Sequence, residues 1–171
     1  MKTIHVSFCL ALVCTVGAAL VALAQGSTIS LSAALSGFEE VGAPVLAPNA
    51  STAHGTFQGI LSDDGRTLTY TLTWTPFSSA VQFAHIHFAM RGVNGGIMAF
   101  LCGGGGKPAC AAGLATGTIT ATDIVAVPAQ GIAANDLVNF LRVLASGDAY
   151  VNIHTTNFPG GEIRGQIKVV P

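Results

Sequence analysis

From residue 28 onward, apolar and polar residues alternate over short stretches that are separated by turn residues, a pattern that predicts β-strands. The clearest strand is 67–75, where four apolar side chains alternate with threonines, so one side faces a core and the other forms a threonine ladder suited to solvent. These apolar residues are Leu68, Tyr70, Leu72 and Trp74. A hairpin turn with Asp-Gly at its tip precedes this strand at 62–66. The same pattern predicts strands at 28–36, 53–61, 81–89, 96–102, 115–120, 149–155 and 162–170.

One segment departs from this period. Over 135–145 apolar residues recur at helical spacing, at Leu137, Phe140, Leu141 and Leu144, and Gly147 lies just past the end. This predicts a helix of about three turns across one end of the sheets. Many short strands with one short helix predict an all-β fold, an antiparallel β-sandwich or flattened barrel. A parallel α/β fold would need a helix between most pairs of strands.

The first two dozen residues predict a signal peptide, residues 1–24. Lys2 supplies a positive charge, an apolar run covers 6–23, and Ala22-Leu23-Ala24 is a small-x-small pattern that places the cleavage after Ala24. The alternative is a retained membrane anchor, because the run is nearly long enough to span a bilayer. Cleavage predicts a secreted or periplasmic protein that has no membrane association and forms a single domain over residues 25–171.

The cysteines outside this leader are Cys102 and Cys110, and the loop between them is rich in glycine. Two close cysteines in an exported protein most often form a disulfide, and a glycine-rich loop can bend to its geometry. A metal–thiolate pair would instead need C-x₂-C-like spacing. We therefore expect a disulfide between Cys102 and Cys110.

Composition and charge exclude several classes of function. A net charge of −1 leaves no basic surface for nucleic acid, and 50% apolar against 9% charged residues excludes a disordered chain. The sequence has no phosphate-binding glycine loop, no G-x-S-x-G and no H-E-x-x-H. Asp63 and Asp64 belong to a turn, and Glu39-Glu40 is expected to be solvated, so a hydrolase built on two carboxylates is poorly supported.

The histidines are the best candidates for chemistry. His85 and His87 lie two residues apart on a predicted strand, so their side chains share one face with α-carbons roughly 6.5–7 Å apart. His154 lies on a second strand, in which Val151 and Ile153 take the core face. If these strands are close neighbours, three neutral imidazoles would surround one metal ion, copper or zinc.

A single histidine on a strand is more often a surface or hydrogen-bonded residue than a ligand. His54, between Ala53 and Gly55, is for this reason a weaker candidate. It would join the other three only if a fourth ligand is needed.

Several segments together resemble the CHRD domain, the module named after chordin. They are Leu35-Ser36-Gly37-Phe38-Glu39-Glu40-Val41 with Pro44, Leu68-Thr69-Tyr70-Thr71-Leu72, Ala84-His85-Ile86-His87 followed by Gly92-Val93-Asn94-Gly95, Tyr150-Val151-Asn152-Ile153-His154-Thr155, and Pro159-Gly160-Gly161-Glu162-Ile163-Arg164-Gly165-Gln166-Ile167. The resemblance covers about residues 29–168. It implies an extracellular module with an immunoglobulin-like β-sandwich or barrel. His54 and the loop 102–110 depart from the family pattern.

A weaker similarity is to copper/zinc superoxide dismutase, which also places an H-x-H pair on a sandwich strand. It would make His85, His87 and His154 copper ligands and Arg164 an anion guide. The four histidines outside the leader are too few for a copper-plus-zinc site. At most one copper ion would fit, with His54 as its fourth ligand.

The sequence therefore predicts an exported binding or structural module with a histidine-based metal site. The alternatives are a copper-dependent, dismutase-like oxidoreductase and an adhesion or matrix-binding domain without metal. The expected partner is a metal ion or an extracellular protein or matrix ligand.

Overall fold

The computed structural model describes residues 28–42 and 48–170. The predicted signal peptide lies outside these residues, so the leader, its cleavage site and the domain start at residue 25 stay predictions.

The described residues form an antiparallel β-structure. Its strands are β1 (Ser30–Ser36), β2 (His54–Leu61), β3 (Leu68–Trp74), β4 (Val81–Phe88), β5 (Gly96–Cys102), β6 (Leu114–Ile119), β7 (Ala149–Thr155), β8 (Ile163–Gln166) and β9 (Lys168–Val170). They pair in the order β5-β4-β7-β8-β1-β2-β3-β6, and β9 also pairs with β1. The end strands β5 and β6 approach each other, so the sheet forms a flattened, nearly closed barrel. The predicted fold class is confirmed.

A tyrosine bridges the place where the barrel nearly closes. The Tyr70 hydroxyl in β3 donates a hydrogen bond to the backbone carbonyl of Leu101 in β5, at 2.7 Å. A Cβ atom on Gly117 in β6 would lie only 2.7 Å from this hydroxyl oxygen. Glycine at this position therefore leaves the space that the tyrosine needs to reach across.

The alternation predicts the core side chains and the strands well, with one exception for each. The apolar face of β3 is buried as predicted, but Ile29 precedes β1 and is 45% exposed. The last predicted strand is two strands: β8 pairs with β7 and with the end of β1, and β9 pairs with the start of β1. The buried Ile167 lies between them.

The predicted helix is confirmed as α1 (Leu137–Ser146), which buries Phe140, Val143 and Leu144. The Asp136 side chain caps its start by accepting a hydrogen bond from the Asn139 backbone N–H at 3.0 Å. Gly147 ends it in the left-handed conformation, with φ of 82°. Among the described residues, no helix has the length and hydropathy needed to cross a bilayer.

Candidate metal centre

The strand register brings polar residues into rows on the outward face of β4, β7 and β8. His85 lies opposite Asn152, which lies opposite Arg164. In the next row, His87 lies opposite Tyr150. We call these five residues the outer layer. The alternate residues of the same strands face the barrel core, so both faces of this part of the sheet are covered.

Three histidines come together at one end of the outer layer. His154 in β7 pairs with Phe83, which places it diagonally beside His85. The Nδ1 atom of His85 lies 3.2 Å from the Nε2 atom of His154. One ring nitrogen from each of His85, His87 and His154 lies within 4.8 Å of the others. We call these residues the histidine cluster.

Backbone carbonyls fix which nitrogens of two of these rings carry a proton. The Nδ1 atom of His87 lies 3.0 Å from the Gly95 carbonyl oxygen, and the Nδ1 atom of His154 lies 2.9 Å from that of Pro159. Because a carbonyl oxygen only accepts, each Nδ1 carries the proton and each Nε2 keeps its lone pair. The Nε2 atom of His87 is buried without a hydrogen-bond partner. An Nδ1–H bound to a carbonyl, with Nε2 left free, is typical of metal-binding histidines.

Burial keeps the cluster uncharged. Burial lowers the pKa of His85 to about 3, and the charges that His154 and His87 would carry contribute further. Burial also lowers the pKa of His87 to about 4, although the hydrogen bond to Gly95 opposes this shift. The pKa of His154, which is less buried, is lowered for the same reason. All three imidazoles are therefore neutral near pH 7, the form that binds metal ions.

Aromatic rings surround the cluster. The Phe100 ring packs edge-on against His85 with a centroid distance of 4.6 Å, and Phe83 stacks on His85 at 5.8 Å. Tyr150 stacks on His87 with centroids 4.7 Å apart and planes only 4° from parallel. These contacts restrict how far either imidazole can rotate.

The glycine loop after β5 holds Phe100 in place. A Cβ atom on Gly104 or Gly105 would lie 2.6 Å from the Phe100 ring, so only glycines allow the loop to wrap this closely. Cys102 and Cys110 lie at disulfide distance, as expected, with Sγ atoms 2.01 Å and Cα atoms 5.0 Å apart. The cysteine pair thus closes the loop around the residue that packs against His85.

One expectation for a charged residue was wrong: Glu40, expected to be solvated, is 5% exposed. Arg164, which the weaker similarity would make an anion guide, is 1% exposed. The guanidinium carbon of Arg164 lies 3.3 Å from the centroid of the Tyr150 ring. Its Nη2 donates to the backbone carbonyls of Met90, at 3.2 Å, and Val93, at 2.8 Å. Arg164 therefore ties the β4–β5 loop to the sheet and does not reach the surface.

The buried carboxylates belong to the same polar region and were missed from the sequence. Glu40 accepts a hydrogen bond from the Asn152 amide, and burial raises its pKa to about 7 although Arg164 opposes the shift. Glu162, 2% exposed, accepts hydrogen bonds from the hydroxyls of Ser51, at 2.7 Å, and Thr155. The two-residue period applied to β7 and β8 would have placed Asn152 and Arg164 beside the histidines, but it carries no signal for Glu40.

His54 does not join the cluster. It lies exposed at the start of β2, opposite Ser36 of β1. In the sheet order, β1 and β8 separate β2 from β7. The structure therefore brings together His85, His87 and His154, and not the fourth candidate.

The fold and the cluster define an all-β domain with a buried histidine cluster on the outer face of its sheet. The family model of the CHRD domain matches residues 17–167, and the chain belongs to the CHRD domain family. This match begins inside the predicted leader. No curated protein and no solved structure was found to match the chain.

Proposed function

We propose that the protein is an exported CHRD-domain module that binds one copper(II) or zinc(II) ion through His85, His87 and His154. The observation that carries the proposal is the convergence of three uncharged imidazoles, one of which keeps a buried nitrogen without a partner. Imidazole suits both ions. Cys102 and Cys110 are paired with each other, so no thiolate biases the choice between them.

A metal ion would satisfy the polar atom that the cluster leaves unpaired. Leaving a buried polar atom such as His87 Nε2 without a partner costs about 1–3 kcal/mol. Without metal, His85 and His154 satisfy each other through one hydrogen bond, in which the proton sits on Nδ1 of His85 because Nδ1 of His154 donates elsewhere. Metal binding at Nδ1 of His85 would replace this hydrogen bond and move the proton to Nε2 of the same ring, so the imidazole would stay neutral.

The separations of the nitrogens fit a small inward movement on binding. Ligand nitrogens at about 2.0–2.1 Å from a tetrahedral ion lie roughly 3.3 Å from each other. The distance between His85 Nδ1 and His154 Nε2 is already 3.2 Å, whereas the widest separation in the cluster is 4.8 Å. The nitrogens that lie farther apart therefore have to move together when the ion binds.

Export is supported by the family and by the cysteine pair. CHRD domains are typically extracellular, and a disulfide persists in oxidising compartments. The proposal assigns the module a binding or structural role. Metal found in the untagged exported protein would favour this metal-binding module over a metal-free adhesion or matrix-binding domain. Redox turnover would favour a copper-dependent oxidoreductase over this module.

The test is calorimetric titration of copper(II) and zinc(II) into the metal-stripped, exported protein. We expect one ion per chain at micromolar affinity or better, and a loss of at least about 10-fold in affinity for His85→Ala, His87→Ala or His154→Ala. His54→Ala is the matched control and should bind as the unsubstituted protein does. If the unsubstituted protein binds neither ion, or the triple variant binds equally well, the three histidines are only polar residues of the sheet.

A further inference from the structure

We infer that the metal ion at the histidine cluster keeps one coordination position open and binds a small exogenous anion there. This inference rests on the proposed function and adds the class of ligand that completes the site. It depends on the number of protein donors, the charge around them and the way the cluster faces outward.

The cluster supplies three donors, one fewer than a closed structural site. Structural zinc sites usually have four protein ligands, whereas three leave a position for water or another exchangeable ligand. Within the described residues, His85, His87 and His154 form a group without a carboxylate or thiolate. The carboxylates of Glu40 and Glu162 are occupied by hydrogen bonds to other side chains.

The charge around the cluster favours an anion in that position. Three neutral imidazoles leave the full charge of a divalent ion uncompensated. Behind His87, the rings of His87 and Tyr150 and the guanidinium of Arg164 form one stack, with Arg164 3.3 Å from the Tyr150 centroid. The Glu40 carboxylate opposes the charge of Arg164, so the uncompensated charge of the metal ion itself attracts an anion more strongly than a neutral ligand.

The outward side of the cluster limits the ligand to a small one. His154 is partly exposed, and Phe83 directly opposite it is 39% exposed, so the approach from solvent passes these two residues. Phe83 and Phe100 both pack against His85 at this opening, and we call these two aromatic residues the rim. The bond from the metal to the anion, and not a set of hydrogen bonds, therefore provides the affinity.

The test uses cobalt(II) as a spectroscopic probe in the metal-stripped, exported protein, with sodium azide as the anion. We expect visible absorption bands of four-coordinate cobalt, and a saturable shift of these bands that fits one azide per cobalt. Cobalt measured in the protein after gel filtration should stay at one per chain, which excludes removal of the metal by azide.

Two variants serve as controls, and a third variant, Phe83→Ala, tests the access of larger anions. His154→Ala removes a ligand and should lose the cobalt bands. Phe38→Ala, an exposed phenylalanine outside the rim, should keep both the bands and the azide shift. Phe83→Ala opens the rim, so benzoate should shift its bands at lower concentrations than those needed with the unsubstituted protein.

The outcomes separate the two claims. If cobalt does not bind, the proposed metal site itself fails. If cobalt binds to the histidines and its bands do not respond to azide at saturating concentration, the metal site stands and the open position is wrong.

Discussion

The two faces of β4 and β7 are both buried, but they are built in opposite ways. On the inner face, Ile86, Val151 and Ile153 are fully buried and need only apolar contacts. On the outer face, His85 and Asn152 are 5% and 3% exposed, so their polar atoms need partners. His85 and Asn152 are thus nearly as buried as the inner face, and the difference lies in how many polar atoms must be satisfied.

The outer layer satisfies nearly all of these atoms by means of loops. Arg164 binds carbonyls of the β4–β5 loop, and Asn94 of that loop donates to the carbonyl of Val41 at 2.8 Å. Among the described residues, two buried side-chain atoms have no hydrogen-bond partner: His87 Nε2 in the outer layer and Gln166 Oε1, whose residue pairs with Tyr150 of that layer. The first of them lies among the nitrogens of two further imidazoles. This unpaired nitrogen supports the proposed metal site on the outer face.

The largest expected effect is on stability, from removal of the buried arginine. Arg164→Met leaves the carbonyls of Met90 and Val93 unpaired and removes the charge opposite Glu40. Breaking such a buried arrangement costs about 3–5 kcal/mol. Urea unfolding, followed by circular dichroism, measures this loss.

Arg91→Met is the matched control. The Arg91 side chain is 74% exposed and pairs with Glu39 at the surface, so its loss should cost less than about 1 kcal/mol. Equal effects of the two substitutions would show that the outer layer behaves as ordinary surface.

The next effect is a dependence of stability on pH that comes from Glu40. Burial raises the pKa of Glu40 from 4.5 to about 7. Between these values the folded protein holds a proton that the unfolded chain has released, so Glu40 lowers the free energy of unfolding as the pH rises through this window. The full loss is up to about 3 kcal/mol. Glu40→Gln should remove it, so the variant should gain stability relative to the unsubstituted protein from pH 4.5 to 7.

The neighbouring Glu39 provides the control for this measurement. Glu39→Gln removes the surface pair with Arg91 and should change the free energy of unfolding by less than about 1 kcal/mol. If Glu40→Gln shows the same pH dependence as the unsubstituted protein, Glu40 does not titrate in this window.

The alternation of apolar and polar residues predicts which face of a strand a side chain occupies, but not which other parts of the chain pack against that face. It assigns His85 and His87 to one face correctly, because a strand turns successive side chains to opposite sides. It cannot show that β4 pairs with β7, which is distant in sequence, and this pairing is what brings His154 beside His85. For the same reason Glu40 was expected in solvent, since the strand it meets, β7, lies far along the chain. The fold was predictable from local patterns, whereas the buried polar layer depends on loops that pack over the sheet.

The smallest of the stability effects concerns the cysteine pair. A disulfide between Cys102 and Cys110 contributes about 2–3 kcal/mol in the chain-entropy model. Replacing both cysteines by alanine should remove this contribution. The zinc affinity should also fall about 10-fold, because the glycine loop no longer holds Phe100 against His85.

Thiol titration of the unreduced, unfolded protein provides the control. Two free thiols per chain would show that the pair is not bonded in the exported protein. A double variant that keeps the zinc affinity of the unsubstituted protein would show that the loop does not position the cluster.

Anomalous X-ray diffraction from crystals of the zinc-loaded, exported protein tests the proposed metal site most directly. We expect one strong peak per chain, at about 2.0–2.1 Å from a ring nitrogen of each of His85, His87 and His154. The exposed His54 serves as an internal comparison within the same crystal. A peak at His54 with none at the cluster, or no ordered zinc at all, would contradict the claim that the outer face of the sheet binds a metal ion.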